Sequence, residues 1–310
     1  MKNRNKKYSI LLLSLWLMVG TLTAQHTISG QILDAASNAP LAYVNIGIEG
    51  TSTGTVSDPQ GAFTLIIPQS RDTFPINIRC SHIGYEDVEY TLQLDSADPL
   101  AIIMNARITE LNTVQIRASK LYPDVLGYEK TDTRMNVSFA IGDQPNQNLG
   151  AAIAKKVDVK KDETVWVDSV SFFIRANNFD TVRFRVNIHQ LTPDKLPGNT
   201  LHTSEIIAEL TQSQTGWVTV NFIPLGITMP EDFAISVEWI YHSVEGKYLQ
   251  MPIALPVVGS THYYRYGSQN SWENYRNMSA AIQVYVRKEV KSKRKRKGEK
   301  NSPSELSFSN

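Results

Sequence analysis

Residues 55–67 read TVSDPQGAFTLII, a turn signal between two runs of strand-forming residues. In Asp58-Pro59-Gln60-Gly61, the Asp, Pro and Gly occupy positions that these residues favour in a type I turn and at its exit. The pattern predicts a strand over Ala62–Ile67 that pairs across the turn with residues 55–57.

Similar short runs lie before and after this turn. They occupy residues 27–33, 43–48, 74–80 and 86–94, and are separated by segments that contain Gly, Pro, Asn or Asp. Strands this short, at this spacing, predict a small all-β sandwich, because each strand buries one face against a second sheet.

Five ordered motifs carry a family resemblance. They are ISGQI at 28–32, PLAYVNI at 40–46, GTSTGT at 50–55, SDPQGAF at 57–63 and IGY at 83–85. In order and spacing they resemble the carboxypeptidase-like regulatory domain. The resemblance implies a transthyretin-like Greek-key sandwich for a module at 25–118, with folding roles for the motifs and no active site.

A second resemblance concerns residues 110–118, ELNTVQIRA. They are similar to the short strand that follows this domain in TonB-dependent outer-membrane receptors. The 310-residue chain is too short for the plug and barrel of such a receptor. The resemblance therefore implies a shared front module and a cell-envelope location.

The first residues are typical of a secretion signal. Basic residues cluster within 2–7, an apolar run follows over 8–20, and Leu-Thr-Ala at 22–24 precedes Gln25. This order predicts a signal peptide over 1–24 and an exported protein, located in the periplasm, at the outer membrane or outside the cell. The alternative is an uncleaved anchor, although a spanning helix needs about 20 apolar residues and this run is shorter.

Charge divides the chain into unlike parts. It has 31 basic and 30 acidic residues, a net charge of +1, which argues against a nucleic-acid-binding protein. Nine basic and three acidic residues lie within 287–310, whereas the rest of the mature chain is acidic. This last segment has no apolar period. We expect a disordered basic tail that either contacts anionic lipid or glycan or serves only for solubility.

The second half of the chain continues the strand pattern. After a linker-like segment at 119–133, alternating runs within 134–286 predict a second, jelly-roll-like β-sandwich. Residues 178–188, NFDTVRFRVNI, resemble a β module that follows this regulatory domain in exported proteins of unknown function.

Alternation within this run assigns side chains to two faces. The sets are Phe184, Val186 and Ile188 on one face, and Arg183, Arg185 and Asn187 on the other. We expect the apolar set to be buried. The tryptophans Trp166, Trp217 and Trp239 lie in similar runs and are expected in the core.

The chain has one cysteine, Cys80, which excludes an internal disulfide and a multi-thiolate zinc site. Cys80 lies on the apolar face of the strand-like run 76–80, so we expect a buried thiol. His82 would lie about 7 Å away on the same face, too far to act as its base.

A metal-ligand spacing occurs at His202 and Glu205, the HxxE of metallocarboxypeptidases, with His242 or His262 available as a third ligand. Two features oppose a zinc peptidase. In those enzymes the regulatory domain follows the catalytic domain, whereas here it comes first. The strand-rich remainder is also too short for their α/β catalytic domain. We therefore predict no enzymatic activity, no metal and no cofactor.

The segment most suggestive of binding is 262–277, HYYRYGSQNSWENYRN. Aromatic rings among Asn, Gln and Arg are typical of surfaces that stack on sugars or contact a protein partner. The candidate binding residues are Tyr263, Arg265, Trp272 and Tyr275. In the alternative interpretation the rings are structural, with Tyr264 and Tyr266 in the core and Trp272 covering the sandwich edge.

Two functions of different classes follow. The first is an exported, non-catalytic cell-envelope protein with a binding or scaffolding role, whose partner is an envelope protein or a polysaccharide. The second is a carbohydrate-binding accessory protein, or an exported hydrolase, that uses the segment 262–277.

Overall fold

The computed structural model describes residues 26–68, 74–93, 99–107, 121–140, 148–244 and 246–290. Within these ranges the chain consists mainly of β-strands, with a short 3-10 helix at Ile223–Leu225, so the all-β prediction is confirmed. No helix in these ranges is long and apolar enough to cross a membrane. The predicted signal peptide, the segment 110–118 and residues 291–310 of the predicted tail lie outside the described residues.

The N-terminal module is a two-sheet β-sandwich. Its strands are β1 (His26–Asp34), β2 (Asn45–Gly47), β3 (Gly54–Val56), β4 (Ala62–Ile67), β5 (Ile76–Ser81), β6 (Val88–Leu92) and β7 (Leu100–Met104). One sheet has the order β4-β1-β7 and the other β3-β2-β5-β6. Apolar side chains from both sheets, such as Ile32 and Ile46, form one core. Cys80 lies in this core as predicted, and burial raises the pKa of its thiol to about 12.

The turn at 58–61 forms as predicted. Asp58 Oδ1 accepts hydrogen bonds from the backbone N–H groups of Gln60 at 2.8 Å and Ala62 at 2.9 Å. Gly61 has a φ of 72°, and a Cβ there would approach the Ile32 carbonyl oxygen to 2.7 Å. Both the backbone angle and the close approach therefore favour glycine.

The predicted pairing across this turn is wrong. Strand β4 pairs antiparallel with β1, from His26 opposite Ile67 to Gln31 opposite Ala62, and β3 pairs with β2 instead. The turn thus carries the chain from one sheet to the other. The reason is burial, because this arrangement places Phe63 and Leu65 between the two sheets.

The C-terminal module holds the remaining strands. They are β8 (Leu121–Gly127), β9 (Met135–Ser138), β10 (Ala152–Val157), β11 (Glu163–Ile174), β12 (Ala176–Asn177), β13 (Val182–Leu191), β14 (Pro197–Thr200), β15 (Ile207–Leu210), β16 (Gly216–Asn221), β17 (Thr228–Met229), β18 (Phe233–His242), β19 (Leu249–Ala254), β20 (Thr261–Arg265), β21 (Glu273–Arg276), β22 (Ser279–Ala280) and β23 (Ile282–Val290). The 3-10 helix lies between β16 and β17.

These strands form three sheets. The large sheet has the order β14-β13-β18-β10-β20-β21, with β15 also paired to β13. The second sheet has the order β16-β11-β23-β8, with β17 also paired to β11. A smaller sheet, β12-β19-β22, carries β9 on β19.

The main core lies between the large sheet and the second sheet. Phe184 of β13 packs against Phe139 at 5.1 Å and Phe172 of β11 at 5.3 Å between ring centroids. Val186 and Ile188 belong to the same core, as the alternation predicts. The opposite face of the large sheet carries the polar side chains, and this face contacts the N-terminal module.

The boundaries of the C-terminal module differ from those predicted. Residues 121–127, within the predicted linker, form β8, which pairs antiparallel with β23. Strand β23 continues to Val290, so the first residues of the predicted tail are part of the sheet. Two surface ion pairs accompany them, Arg287 with Asp168 at 2.9 Å and Lys288 with Asp124 at 2.6 Å.

The three tryptophans predicted in the core have different environments. Trp239 is 0% exposed, and its indole N–H donates to the Tyr241 carbonyl at 3.1 Å. Trp166 is only partly buried. Trp217 is 39% exposed, so its predicted core position is wrong. Its strand, β16, lies at the edge of the second sheet, and Trp217 lies on the outer face, against the edge of Phe173.

We expect Trp239→Ala to lower the free energy of unfolding by about 3–5 kcal/mol, because it leaves a cavity in a closed core. The same change at Trp217 removes an exposed ring and should cost less than about 1 kcal/mol. Urea denaturation of the two variants and the parent protein measures the difference. Similar losses at both positions would contradict the assigned environments.

Candidate functional site

The two modules meet where the polar face of the large sheet and the 267–271 loop contact β2 and β5. Ser268 Oγ donates to the Ile46 carbonyl at 2.7 Å, and Gln269 Nε2 donates to Ser81 Oγ at 2.9 Å. The backbone N–H of Gly50 donates to the Gln269 carbonyl at 2.9 Å. The loop is thus joined to the N-terminal sandwich by both side-chain and backbone hydrogen bonds.

Glu238 of β18 is the central charge of this junction. Its side chain is 2% exposed and accepts hydrogen bonds from Arg265 Nη2 at 2.6 Å and from the Asn45 amide at 2.8 Å. Arg185 Nη1 lies 3.6 Å from its other carboxylate oxygen. Burial acts to raise the pKa of Glu238, but Arg185 and Arg265 outweigh it, so the pKa lies below its ordinary value.

Arg185 extends this network into the N-terminal module. Its side chain is 2% exposed, and Nη2 donates to the backbone carbonyl of Tyr43. Its Nε lies 3.0 Å from Glu205 Oε1, which is also 3.4 Å from His82 Nε2. Tyr43 has a φ of 59°, a strained conformation for a bulky residue. In this conformation the Tyr43 carbonyl oxygen accepts the hydrogen bond from Arg185.

An interdomain cleft of about 580 Å³ opens beside this network. Its lining is mostly polar and comes from both modules, including His82, Asp87, Arg107, Asn187, His189 and Trp272. Two buried amide oxygens in the lining, Asn45 Oδ1 and Asn187 Oδ1, make no hydrogen bond to the described residues. Buried polar atoms normally have partners, so these two oxygens beside the cleft are exceptions to that rule.

Two histidines in the cleft are held neutral. His189 lies between the Gly198 carbonyl at 2.9 Å and Ser236 Oγ at 2.8 Å, and burial lowers its pKa to about 4. His202 Nδ1 donates to the Ser204 carbonyl at 2.8 Å, while Nε2 accepts from the Ile188 N–H at 3.4 Å. Burial also lowers the pKa of His202.

The predicted HxxE pair does not form part of a metal cluster. Glu205 pairs with Arg185 and His82, and both ring nitrogens of His202 have hydrogen-bond partners. Among the described residues, no three His, Cys, Asp or Glu side chains are grouped as metal ligands.

The predicted binding residues separate onto two faces of β20 and β21. Arg265 and Trp272 line the interdomain cleft, with the guanidinium carbon 5.1 Å from the indole centroid. Tyr263 is buried beneath Trp272, and its hydroxyl donates to the Lys195 carbonyl at 2.7 Å. Tyr275 lies on the opposite face, beside Tyr266. The structure therefore brings only Arg265 and Trp272 together in this cleft.

Sequence reasoning missed the buried centre of the site. Glu238 and Asn187 were not among its candidates, although Asn187 was placed on the polar face of its strand. One feature of the sequence could have identified Glu238. It is a charged residue inside a mainly apolar strand, FAISVEWIYH. A buried charge needs a partner, and such a residue indicates an interface.

The sequence of the N-terminal module matches a known family. Residues 28–116 match the family model described as CarboxypepD_reg-like domain. The N-terminal module is a CarboxypepD_reg-like domain. The resemblance to the carboxypeptidase-like regulatory domain seen in the sequence is therefore confirmed. In this CarboxypepD_reg-like domain, contacts to the C-terminal module come from β2 and β5 and also from Tyr43 and His82.

Comparisons beyond this family give weak likenesses. No curated protein matches the sequence. Among solved structures, the clostridial cysteine protease Cwp84 after propeptide cleavage has 12% identity and a TM-score of 0.35, over 86% of this chain and 66% of that one. The cysteine protease and lectin-like domains of Cwp84, a surface layer associated protein of Clostridium difficile, have 11% identity and a TM-score of 0.36, over 85% and 58%.

The major pilin subunit BcpA of Bacillus cereus has 10% identity and a TM-score of 0.19, over 84% of this chain and 69% of that one. The chain thus spans 66% and 58% of the two Cwp84 structures. None of these three likenesses is close enough to assign a fold or an activity to the C-terminal module.

The ion-pair network predicts a sharp contrast between two glutamates. Glu238→Gln leaves two arginines beside a neutral amide and should cost about 3 kcal/mol of unfolding free energy. Glu209 forms an ion pair with Arg183, and its side chain is 44% exposed. Glu209→Gln should therefore lower the free energy of unfolding by about 0.5 kcal/mol or less. Urea denaturation of both variants measures this, and equal losses would contradict a structural role for Glu238.

Proposed function

We propose that the chain is an exported, non-catalytic binding protein of the cell envelope, in which the two modules act as one unit. The observation that carries this proposal is the cleft itself, because its walls come from both modules and meet at Glu238. A binding site at a junction of this kind requires the modules to keep a fixed relative position. The buried network around Glu238 provides a physical means of holding them.

The chemistry of the cleft favours binding over catalysis. The ring nitrogens of His189 and His202 are engaged in hydrogen bonds, so neither is free to act as a base. Cys80 is buried in the N-terminal core, and its raised pKa keeps the thiol protonated. These two histidines and the cysteine thus have structural roles.

A glycan is the ligand class that this cleft favours. Trp272 provides an aromatic surface, and Asn187, Arg107 and Asp87 provide both donors and acceptors around it. Sugar rings combine apolar faces with hydroxyl groups that donate and accept, which matches such a lining. This supports the carbohydrate-binding alternative as a refinement of the envelope-protein proposal.

The purified protein should therefore bind a subset of polysaccharides on a bacterial glycan array. Trp272→Ala should weaken that binding at least tenfold, because the sugar rings lose their stacking surface. Trp217→Ala is the matched control, since this tryptophan is exposed on the second sheet, and it should leave binding unchanged. An array without saturable binding, or equal losses in both variants, would overturn the glycan assignment.

The envelope location rests on the predicted signal peptide and the basic tail. We propose that residues 291–310 add electrostatic attraction to anionic lipid or polysaccharide, worth about 1 kcal/mol per basic residue at a charged surface. Removal of 291–310 leaves β23 complete, so the fold should be retained.

Deletion of 291–310 should release protein from the envelope fraction into the soluble fraction in cell fractionation at low salt. A full-length variant with Gln at the basic positions of 291–300 should behave like the deletion, because the effect depends on charge rather than length. If both variants stay with the envelope as the parent does, the tail serves only for solubility.

A further inference from the structure

A second cavity lies on the other face of β20, away from the interdomain cleft. This tyrosine cavity has a volume of about 260 Å³ and is lined mainly by Tyr264, Tyr266, Tyr275, Met135, Met278 and His262. It forms where β20 and β21 of the large sheet approach β9 and β19 of the smaller sheet. None of the contacts described for the cleft involves this lining.

The tyrosine hydroxyls are largely committed to protein partners. Tyr264 donates to the Ser138 carbonyl at 2.8 Å, and Tyr275 donates to Glu273 at 2.6 Å. The Tyr266 and Tyr275 oxygens are 3.3 Å apart, and the Tyr264 and Tyr266 ring centroids are 4.4 Å apart. The three rings therefore hold one another in place and leave mainly carbon and sulfur surfaces for the cavity wall.

His262 is the exception in this apolar lining. It is 2% exposed, and its Nδ1 makes no hydrogen bond to the described residues. Burial, together with the nearby charge of Lys155, lowers its pKa to about 3, so the ring is neutral near pH 7. A neutral imidazole has one donor and one acceptor nitrogen. His262 also lines the cavity, so its ring is one lining group that can exchange a hydrogen bond with a neutral ligand.

Lys155 restricts the charge of a suitable ligand. It is the cross-strand partner of His262, and its ammonium donates to Ser260 Oγ at 2.8 Å and Ser279 Oγ at 2.9 Å. No carboxylate among the described residues forms an ion pair with it. An additional cation in the adjacent cavity would be repelled, which disfavours an ammonium ligand despite the three aromatic rings.

We propose that the tyrosine cavity binds a neutral phenol ring, whose hydroxyl pairs with His262 and whose ring packs against the tyrosines and methionines. A hydroxyl both donates and accepts, so it fits either tautomer of the imidazole. An apolar cavity of about 150 Å³ accommodates benzene, so the larger volume here suits a substituted ring. The phenol belongs either to a free small molecule or to a tyrosine side chain of a peptide.

The test uses the full chain with methyl-labelled methionine, titrated with 4-methylphenol and followed by NMR. Saturable shifts are expected at Met135 and Met278, which flank the cavity. His262→Phe keeps the ring and removes both nitrogens, and it should weaken 4-methylphenol binding about five- to tenfold. Toluene, which lacks the hydroxyl, should bind the parent and this variant within twofold of each other.

His26→Phe is the matched control, since this histidine packs on Phe74 in the N-terminal module. It should leave 4-methylphenol binding unchanged. Equal losses in the two histidine variants, absence of saturable shifts, or equal affinity of the parent for toluene and 4-methylphenol would each overturn the proposal. Trp272→Ala should not alter the titration, which separates this site from the interdomain cleft.

A second titration distinguishes the two sources of the phenol. If a short peptide containing N-acetyltyrosine binds more tightly than 4-methylphenol through the same methionine shifts, the cavity accommodates a tyrosine side chain. If 4-methylphenol binds more tightly than the peptide, the cavity takes free small phenols. In both cases the loss in His262→Phe is expected, because the hydroxyl contact is common to the two ligands.

Discussion

The placement of one buried carboxylate between two arginines determines how the two sandwiches are joined. Glu238 faces Arg185 and Arg265 within its own module and receives a hydrogen bond from Asn45 of the other. Removing such charges from water is costly, and the cost is offset only when each group has its partners in good geometry. The N-terminal module supplies some of these partners, so docking of the modules and solvation of the charges are linked. The cleft exists because this polar contact does not fill the whole junction.

Local features of the fold could be predicted from the sequence, and pairings between distant strands could not. The Asp58 side chain and the left-handed Gly61 define the turn from a few neighbouring residues, and the structure confirms it. Whether β4 then joins β3 or β1 depends on burial in a core built from the whole module, and the local signal favoured the wrong partner. Alternation in β13 correctly separated Phe184 from Arg185, but nothing in that strand identifies Glu238 as the opposite charge.

The segment 262–277, predicted to bind a ligand or partner, shows the same limit at the level of a single strand. The density of aromatic residues in 262–277 indicated a surface of interest, but successive side chains in a strand point to opposite faces. Arg265 accordingly lines the interdomain cleft, whereas His262 and Tyr264 line the tyrosine cavity. Trp217 illustrates the complementary case, because an alternating run on an edge strand need not have a covering layer on both sides. Sequence alternation assigns faces, and only the assembled sheets decide which face is covered.

The pairing of β8 with β23 has a mechanical consequence. Leu121 lies opposite Glu289, so the chain enters and leaves the C-terminal module at neighbouring positions of one antiparallel pair. A pulling force applied at Leu121 and at the end of β23 would load the first hydrogen bonds of this ladder before the others, and the strands would separate one bond after another. The module therefore resists such tension through a few bonds at a time, however large its core. A molecule built in this way is poorly suited to bearing load along its length.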